Sequence, residues 1–375
     1  MHQENVPAYT STGMATQLAA ILAVFAVVQS SPSFAQGCIA SRGTGMCRSS
    51  DGVHFGDEDA HSAAGFGVSV GYRWLHSDRM FVHDQESPGS DKEINDSHFI
   101  DLGLTYTFNS RFSATLTLPY SVHDRSQIVR TKTAQRTELG RFHTQSDGLG
   151  DVRLAGNMWL LNPAERRKGN VFLGLGVSAP SGDRDAQDVF SETTLASPRR
   201  IVTNPHAVDP SIQLGNGGWG IIVDLYAYRE IVPRLNAFLS GSYTLTPEEK
   251  YTPTAIRDVY GSDGYSIADS YLCRGGLEFL LWPKYGISLS LAGRVEGVPV
   301  DDLTGGSDGF RRPGYAVSIE PGLGIMVKSW SFALNTPVAV YRNREQSNPE
   351  QAAGVQPAAA GFADFVVTCS LAKKF

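Results

Sequence analysis

The last fifteen residues, 361–375, read GFADFVVTCSLAKKF. Phe365, Val367, Cys369, Leu371 and Phe375 fall on one side of an extended chain and Asp364, Thr368, Ser370 and Lys374 on the other, because successive side chains of a strand point to opposite faces. A strand with one apolar and one polar face belongs at the boundary between two media. The same weave recurs upstream. Phe66, Val68, Val70, Tyr72 and Trp74 alternate with Gly67, Ser69, Gly71 and Arg73, and Phe112, Ala114, Leu116, Leu118 and Tyr120 with Ser113, Thr115, Thr117 and Pro119. Ile287, Leu289, Leu291 and Val295 oppose Ser288, Ser290, Arg294 and Glu296. Twelve such segments follow residue 63.

The connections alternate between long and short. The long ones cover 76–96, 123–148, 181–218, 247–269, 298–313 and 343–360; the short ones are 109–110, 162–169, 231–234, 283–285 and 328–329. This layout predicts an all-β fold: a transmembrane, antiparallel, up-and-down β-barrel of about 12 strands, with short periplasmic turns and long extracellular loops. A soluble sandwich places turns every 8–12 residues or so, whereas here each strand with its connection takes roughly 26. Aromatic residues support the barrel. Tyr72, Trp74, Tyr120, Trp219, Tyr243, Tyr271 and Tyr315 gather at the long-loop ends, and Phe108, Phe112, Trp282, Tyr285, Trp330 and Phe332 at the turn ends, as interfacial girdles do.

Composition excludes other classes. The 375 residues carry Lys+Arg 32 against Asp+Glu 38, a net charge of −6 with no basic block, which argues against a nucleic-acid partner. At 41% hydrophobic content the chain is not disordered. No apolar run of 18 residues follows the first thirty, so helices do not span the membrane repeatedly. The uncharged run 14–28 followed by Ser33-Phe34-Ala35 reads as a secretory signal peptide over 1–35. Its positive amino-terminal region is absent if translation begins at Met1; beginning at Met14, the free amine supplies the charge. Residues 36–62 are then a periplasmic or plug segment, in which Cys38 and Cys47 could close a small disulfide loop, and 63–375 form the barrel. Cys273 and Cys369 fall on the lipid-facing side. No cofactor or metal motif occurs: neither a GxGxxG after a strand nor a Walker loop, and Asp183, Asp185 and Asp188 lack EF-hand spacing.

If the apolar set faces lipid, the other set lines the interior. Parity assigns Arg73, Asp101, Asp151, Arg153, Asp224, Arg274, Glu278, Arg294, Glu296, Glu320 and Asp364 to it. Twelve strands enclose more room than eight and less than the 16–18 of open porins, so the pore should be narrow or partly plugged, by 36–61 or by an inward fold of 181–218. Pro119, Pro321 and Pro337 fall within strands, where a missing N–H interrupts pairing. The expectation is that Pro119 kinks the third strand and opens a lateral path into the membrane.

Segments 148–161 (GLGDVRLAGNMWLL), 172–183 (FLGLGVSAPSGD), 209–220 (DPSIQLGNGGWG) and 274–279 (RGGLEF) resemble, in order, the Gly-rich signatures of the outer-membrane family of the meta-pathway of phenol degradation. That family is distantly similar to the FadL-type hydrophobic-compound channels. Residues 180–183 read Pro-Ser-Gly-Asp where the family has Pro-Thr-Gly-Asp. The resemblance implies a channel in the outer membrane of a Gram-negative bacterium, moving small, hydrophobic or aromatic solutes with no catalytic residue. The carboxy-terminal Phe375 resembles the signal read by the outer-membrane assembly machinery, and the expected surroundings are a lipid bilayer with lipopolysaccharide. Two rivals remain: a barrel-embedded hydrolase built on His76, His123, Asp124 or His206 at loop borders, and a structural or adhesive barrel with binding loops.

Overall fold

The computed structural model describes residues 64–87, 92–193, 197–248, 250–251 and 264–375. The signal peptide, the plug segment and the Cys38–Cys47 bond lie outside the described residues. Twelve strands form one closed antiparallel barrel. They are β1 Gly65–Ser77, β2 Ile94–Thr107, β3 Phe112–Arg130, β4 in two lengths (Glu138–Leu149 and Arg153–Trp159), β5 Gly169–Ser178, β6 Gly220–Val232, β7 Leu235–Leu245, β8 Ser270–Trp282, β9 Ile287–Val298, β10 Gly314–Val327, β11 in two lengths (Trp330–Asn335 and Val338–Arg344) and β12 Val366–Lys374. Each pairs with its sequence neighbours, and β12 closes on β1 from Gly67↔Lys374 to Leu75↔Val366.

The outward face is apolar. Leu104, Leu154, Leu175, Val223, Leu291 and Ile319 are all more than 40% exposed, as side chains meeting acyl chains rather than water must be. Phe108, Phe112, Trp282, Tyr285 and Trp330 are exposed at the turn end and Trp219 at the other. Cys273 and Cys369 are free thiols on this face. No described helix is long and apolar enough to cross a membrane.

Pro119 acts differently from the expectation. β3 is continuous through it and pairs with β2 without a gap, Asp101↔Pro119 included. The break lies in the next strand. β3 pairs with β4 from Tyr120↔Leu149 outward and from Thr117↔Arg153 toward the turns, leaving 150–152 between the two lengths. The Pro119 carbonyl accepts from the Gly150 N–H at 2.8 Å. A strand residue presents its N–H and C=O to the same neighbour, so the donor that proline lacks is missing on the β4 side only. Pro337 does separate the two lengths of β11.

The stretch 123–148 is also not simply a loop. β3 and β4 run on beyond the membrane as a paired hairpin to Arg130↔Glu138. With both faces polar, cross-strand pairs hold it: Gln145 Nε2 donates to Asp124 (2.6 Å) and Arg141 to the Ser126 hydroxyl (2.9 Å).

The outward assignment gives a direct test. Leu291→Arg should destabilise the barrel by up to about 2–4 kcal/mol, depending on depth, in urea unfolding from lipid vesicles. Ala164→Arg, in the β4–β5 turn, should cost almost nothing. Equal costs would show that the Leu291 face does not meet lipid.

Candidate functional site

The inward face is divided in two. On the β5–β10 side it is packed. Phe172, Tyr226, Tyr228, Phe238 and Ala292 form one buried cluster against Trp159, with the Trp159 ring 5.2 Å from Phe172. Beside it lies an ion-pair network whose members are only 1–3% exposed. Arg274 and Arg294 stand opposite each other across β8 and β9, a like-charge pair that repels unless something lies between. Glu320 of β10 supplies it, at 3.0 Å from Arg274 Nη1 and 3.1 Å from Arg294 Nη1. Arg294 also donates through Nε and Nη2 to Glu296 (3.0 and 2.8 Å), while Glu278 accepts from the Ser288 hydroxyl (2.7 Å). The Arg274 guanidinium lies 5.3 Å from the centre of the Phe238 ring.

The β1–β4 side is looser. Arg73 stacks on Phe99 at 4.2 Å, and Arg153 reaches Asp101 only at 3.9 Å. With Pro119, His123 and Leu214 these residues line a cavity of ≈ 40 Å³. At ~10–15 Å³ per water it holds about three waters, well short of the ~150 Å³ of a benzene-sized site. Toward the turns, β1–β4 and β10–β12 enclose a larger cavity of ≈ 250 Å³. Asp224 fits beside Gly174, where an added Cβ would lie 3.0 Å from Asp224 Cβ and 3.1 Å from Asn157 Oδ1. Asp364 is nearly half exposed near the loop end, bonded to Arg79 (2.8 Å) and Arg342.

Asp151 has a different task. In the β4 break it accepts the N–H groups of Gly182 (3.0 Å) and Asn216 (2.7 Å), drawing 181–218 inward. Gly215 must be glycine for this approach, since a Cβ there would sit 2.5 Å from the Gly182 carbonyl oxygen. Ser146 donates to the carbonyl of Ile212, which is fully buried. Asp183 and Asp188 accept backbone N–H groups, of Asp185 (2.8 Å) and Gln145 (2.7 Å) respectively.

One contact of this loop spans the mouth. Asp209 accepts two bonds from Arg312, both 2.8 Å, and lies 3.6 Å from Arg125. Arg125 belongs to β3 and Arg312 to the connection between β9 and β10, half the ring away. Burial alone would raise the Asp209 pKa, but Arg125 and Arg312 prevail and hold it well below the usual carboxylate range. Arg311 with Asp302, and Arg344 at the end of β11 with Glu350 of the following loop, make fully buried pairs nearby. Parity along strands revealed none of these; the one local signal is Asp209-Pro210-Ser211, an N-cap followed by proline, which does cap a short 3₁₀ turn.

The histidines weighed for catalysis are otherwise engaged. His123 bonds Ser97 at 2.8 Å, but both are buried and His123 packs edge-on against Phe99. His76 contacts Asp96, Asp124 lies within 2.7 Å of His143, and His206 stacks on Phe190. Among the described residues no group of three or more His, Cys, Asp or Glu could hold a metal.

No family model matches the chain, and no curated protein matches it. Its fold is that of an outer-membrane channel from Pseudomonas putida F1, at TM-score 0.51 and 12% identity over 85% of this chain and all of that one. The translocator domain of the autotransporter NalP from Neisseria meningitidis aligns at TM-score 0.44 and 12% identity (84% and 90% covered). The P. putida toluene transporter TodX aligns at 0.41 and 10% (86% and 92%). The likeness to outer-membrane channels therefore holds at the level of fold, carried by the first of these.

The buried network makes a sharp contrast with its looser counterpart. Glu320→Gln takes from buried Arg274 the carboxylate at 3.0 Å and leaves Arg294 to Glu296, and should cost about 3–5 kcal/mol. Asp101→Asn should cost less than about 1 kcal/mol. Thermal unfolding in detergent compares the two, and equal effects would show that Glu320 is not what holds Arg274 and Arg294 together.

Proposed function

We propose that the barrel is a passive outer-membrane channel for small, hydrophobic or aromatic compounds, entered from the long-loop face and gated by 181–218. The observation that carries this is the two-sided interior. A barrel serving only as an anchor or an adhesive platform gains stability by filling its inside all round. Here aromatic rings and buried ion pairs fill the middle of the β5–β10 side, while space remains at two levels, in a recess between β1–β4 and the loop-side ends of β5–β7 and in a turn-end cavity between β1–β4 and β10–β12.

In this reading Arg73, Asp101 and Arg153 line the path. Asp224, Arg274, Glu278, Arg294, Glu296 and Glu320 form the opposite wall, Asp151 anchors the gating loop, and Asp364 sits at the rim. Phe99, Pro119 and Leu214 give an apolar solute a surface beside the charges. The stretch 150–152, which leaves the regular ladder and is held by single bonds to Pro119, Ala179 and Ser181, is the weakest point of the wall and the sideways exit in this reading, with Leu149 and Leu154 flanking it on the exposed face. Export by the 1–35 leader, recognition of Phe375 by the assembly machinery and contact of the long-loop end with lipopolysaccharide belong to the same proposal. Phe375 is well placed at the closing seam, its N–H donating to the Phe66 carbonyl at 2.8 Å.

The gate is tested through Asp209. A carboxylate whose folded pKa is depressed contributes stability above its unfolded value, near 3.9, and loses it as pH falls through the lower folded value. Conductance of the wild-type barrel in planar bilayers should therefore stay low and unchanged from pH 7 to about pH 4.5. Asp209→Asn should raise it at pH 7. Equal conductance of the two proteins would remove the Asp209 contact from the gating role.

A further inference from the structure

The cavity at the turn end differs in sign from the recess above it. In the recess Arg73 and Arg153 meet Asp101 and Asp151. The turn-end cavity is lined by Arg111, Lys328, Lys373 and Lys374, and no Asp or Glu is among its lining residues. Among the described residues Arg111 and Lys328 have no carboxylate partner. Arg111 is held in place, donating to the carbonyls of Trp159 (3.1 Å) and Leu160 (2.9 Å). Lys328 occupies a left-handed position at the β10–β11 turn, φ 53°. The rest of the lining adds the hydroxyls of Thr105 and Ser113 and the indole of Trp159, whose ring is fixed from behind by Phe172, Tyr226 and Tyr228.

A rigid aromatic wall, hydroxyl groups and two cations without a carboxylate partner among the described residues, Arg111 and Lys328, make complementary demands on one ligand. A plain hydrocarbon leaves the hydroxyls and cations unused, and a metal ion or amine is repelled. A flat ring carrying an anionic group satisfies all three. The ≈ 250 Å³ available exceeds the ~150 Å³ of a benzene-sized site. We propose that this cavity is a binding subsite for a monocyclic aromatic carboxylate, its ring against Trp159 and its carboxylate toward Arg111 and Lys328. This rests on the channel reading and names a solute class for it.

Titration calorimetry of the folded full-length barrel in detergent tests the site with benzoate, the neutral benzamide and acetate as probes. Benzoate should bind more tightly than either of the others. Lys328→Asn, which suits the left-handed turn, should weaken benzoate about fivefold and leave benzamide unchanged. Trp159→Leu should weaken benzoate and benzamide together. Equal affinities of the wild type for benzoate and benzamide, no measurable benzoate binding, or an unchanged benzoate affinity in Lys328→Asn would each overturn the proposal, even if Trp159→Leu did not fold. Benzoate current in planar bilayers is a separate measurement: binding without any conductance would retain the subsite and sink the channel reading.

Discussion

Backbone hydrogen bonding in hydrocarbon governs this molecule. Inside a bilayer no water can satisfy an unpaired N–H or C=O, so strands can cross only in a ring without edges. The β1–β12 seam supplies the closure, and closure fixes parity everywhere else, because a slip of one residue would exchange the two faces of a strand. Proline must be reconciled with the same rule. At Pro119 the ring stays intact toward β2 and yields toward β4, where the Pro119 and Val152 carbonyls take up the N–H groups of Gly150 and Ala179. At Pro337 the break in β11 is bridged likewise, with Thr336 donating to Pro321, Val366 to Pro337 and Ala339 to Asp364. Both interruptions cost pairing locally and are repaired by main-chain bonds from the flanking strands.

Parity says which residues turn inward but not how they share the space. A guanidinium buried to this degree needs a carboxylate close by, and β8–β10 provide Glu320 and Glu296 to Arg274 and Arg294 within 3.1 Å. Packing the charges into one wall, behind rings that exclude water, is what leaves room along β1–β4. The break in β4 faces that roomier side, and Asp151 within it turns the interruption into an attachment point for 181–218.

The strands were legible because lipid imposes one rule on every outward position. Val68 and Leu371, at opposite ends of the barrel sequence, obey it equally. Inward positions obey no such rule. Phe172, Tyr226, Tyr228 and Phe238 read as exceptions to a polar face, yet they are one cluster drawn from three strands. The mouth was hidden for another reason: Asp209 and Arg312 are 103 residues apart, and no period connects residues in two different loops. The hairpin beyond the membrane was missed because both its faces are polar, one in water with Asp124 and Gln145 and the other, with Arg125 and Ser146, against 181–218, so it shows no apolar alternation.

Charge is distributed unevenly along the axis as a result. At the long-loop end arginines are neutralised within the loops, by Asp209, Asp302 and Glu350. At the turn end Arg111 and Lys328 face a cavity without acidic side chains. A fixed positive field there raises the local concentration of anions and the rate at which they arrive, but it cannot drive them, since it acts equally on entry and exit. In the channel proposed above, net flux would follow the solute gradient, and the loop held by Asp209, as its proposed gate, would set only when that gradient is felt.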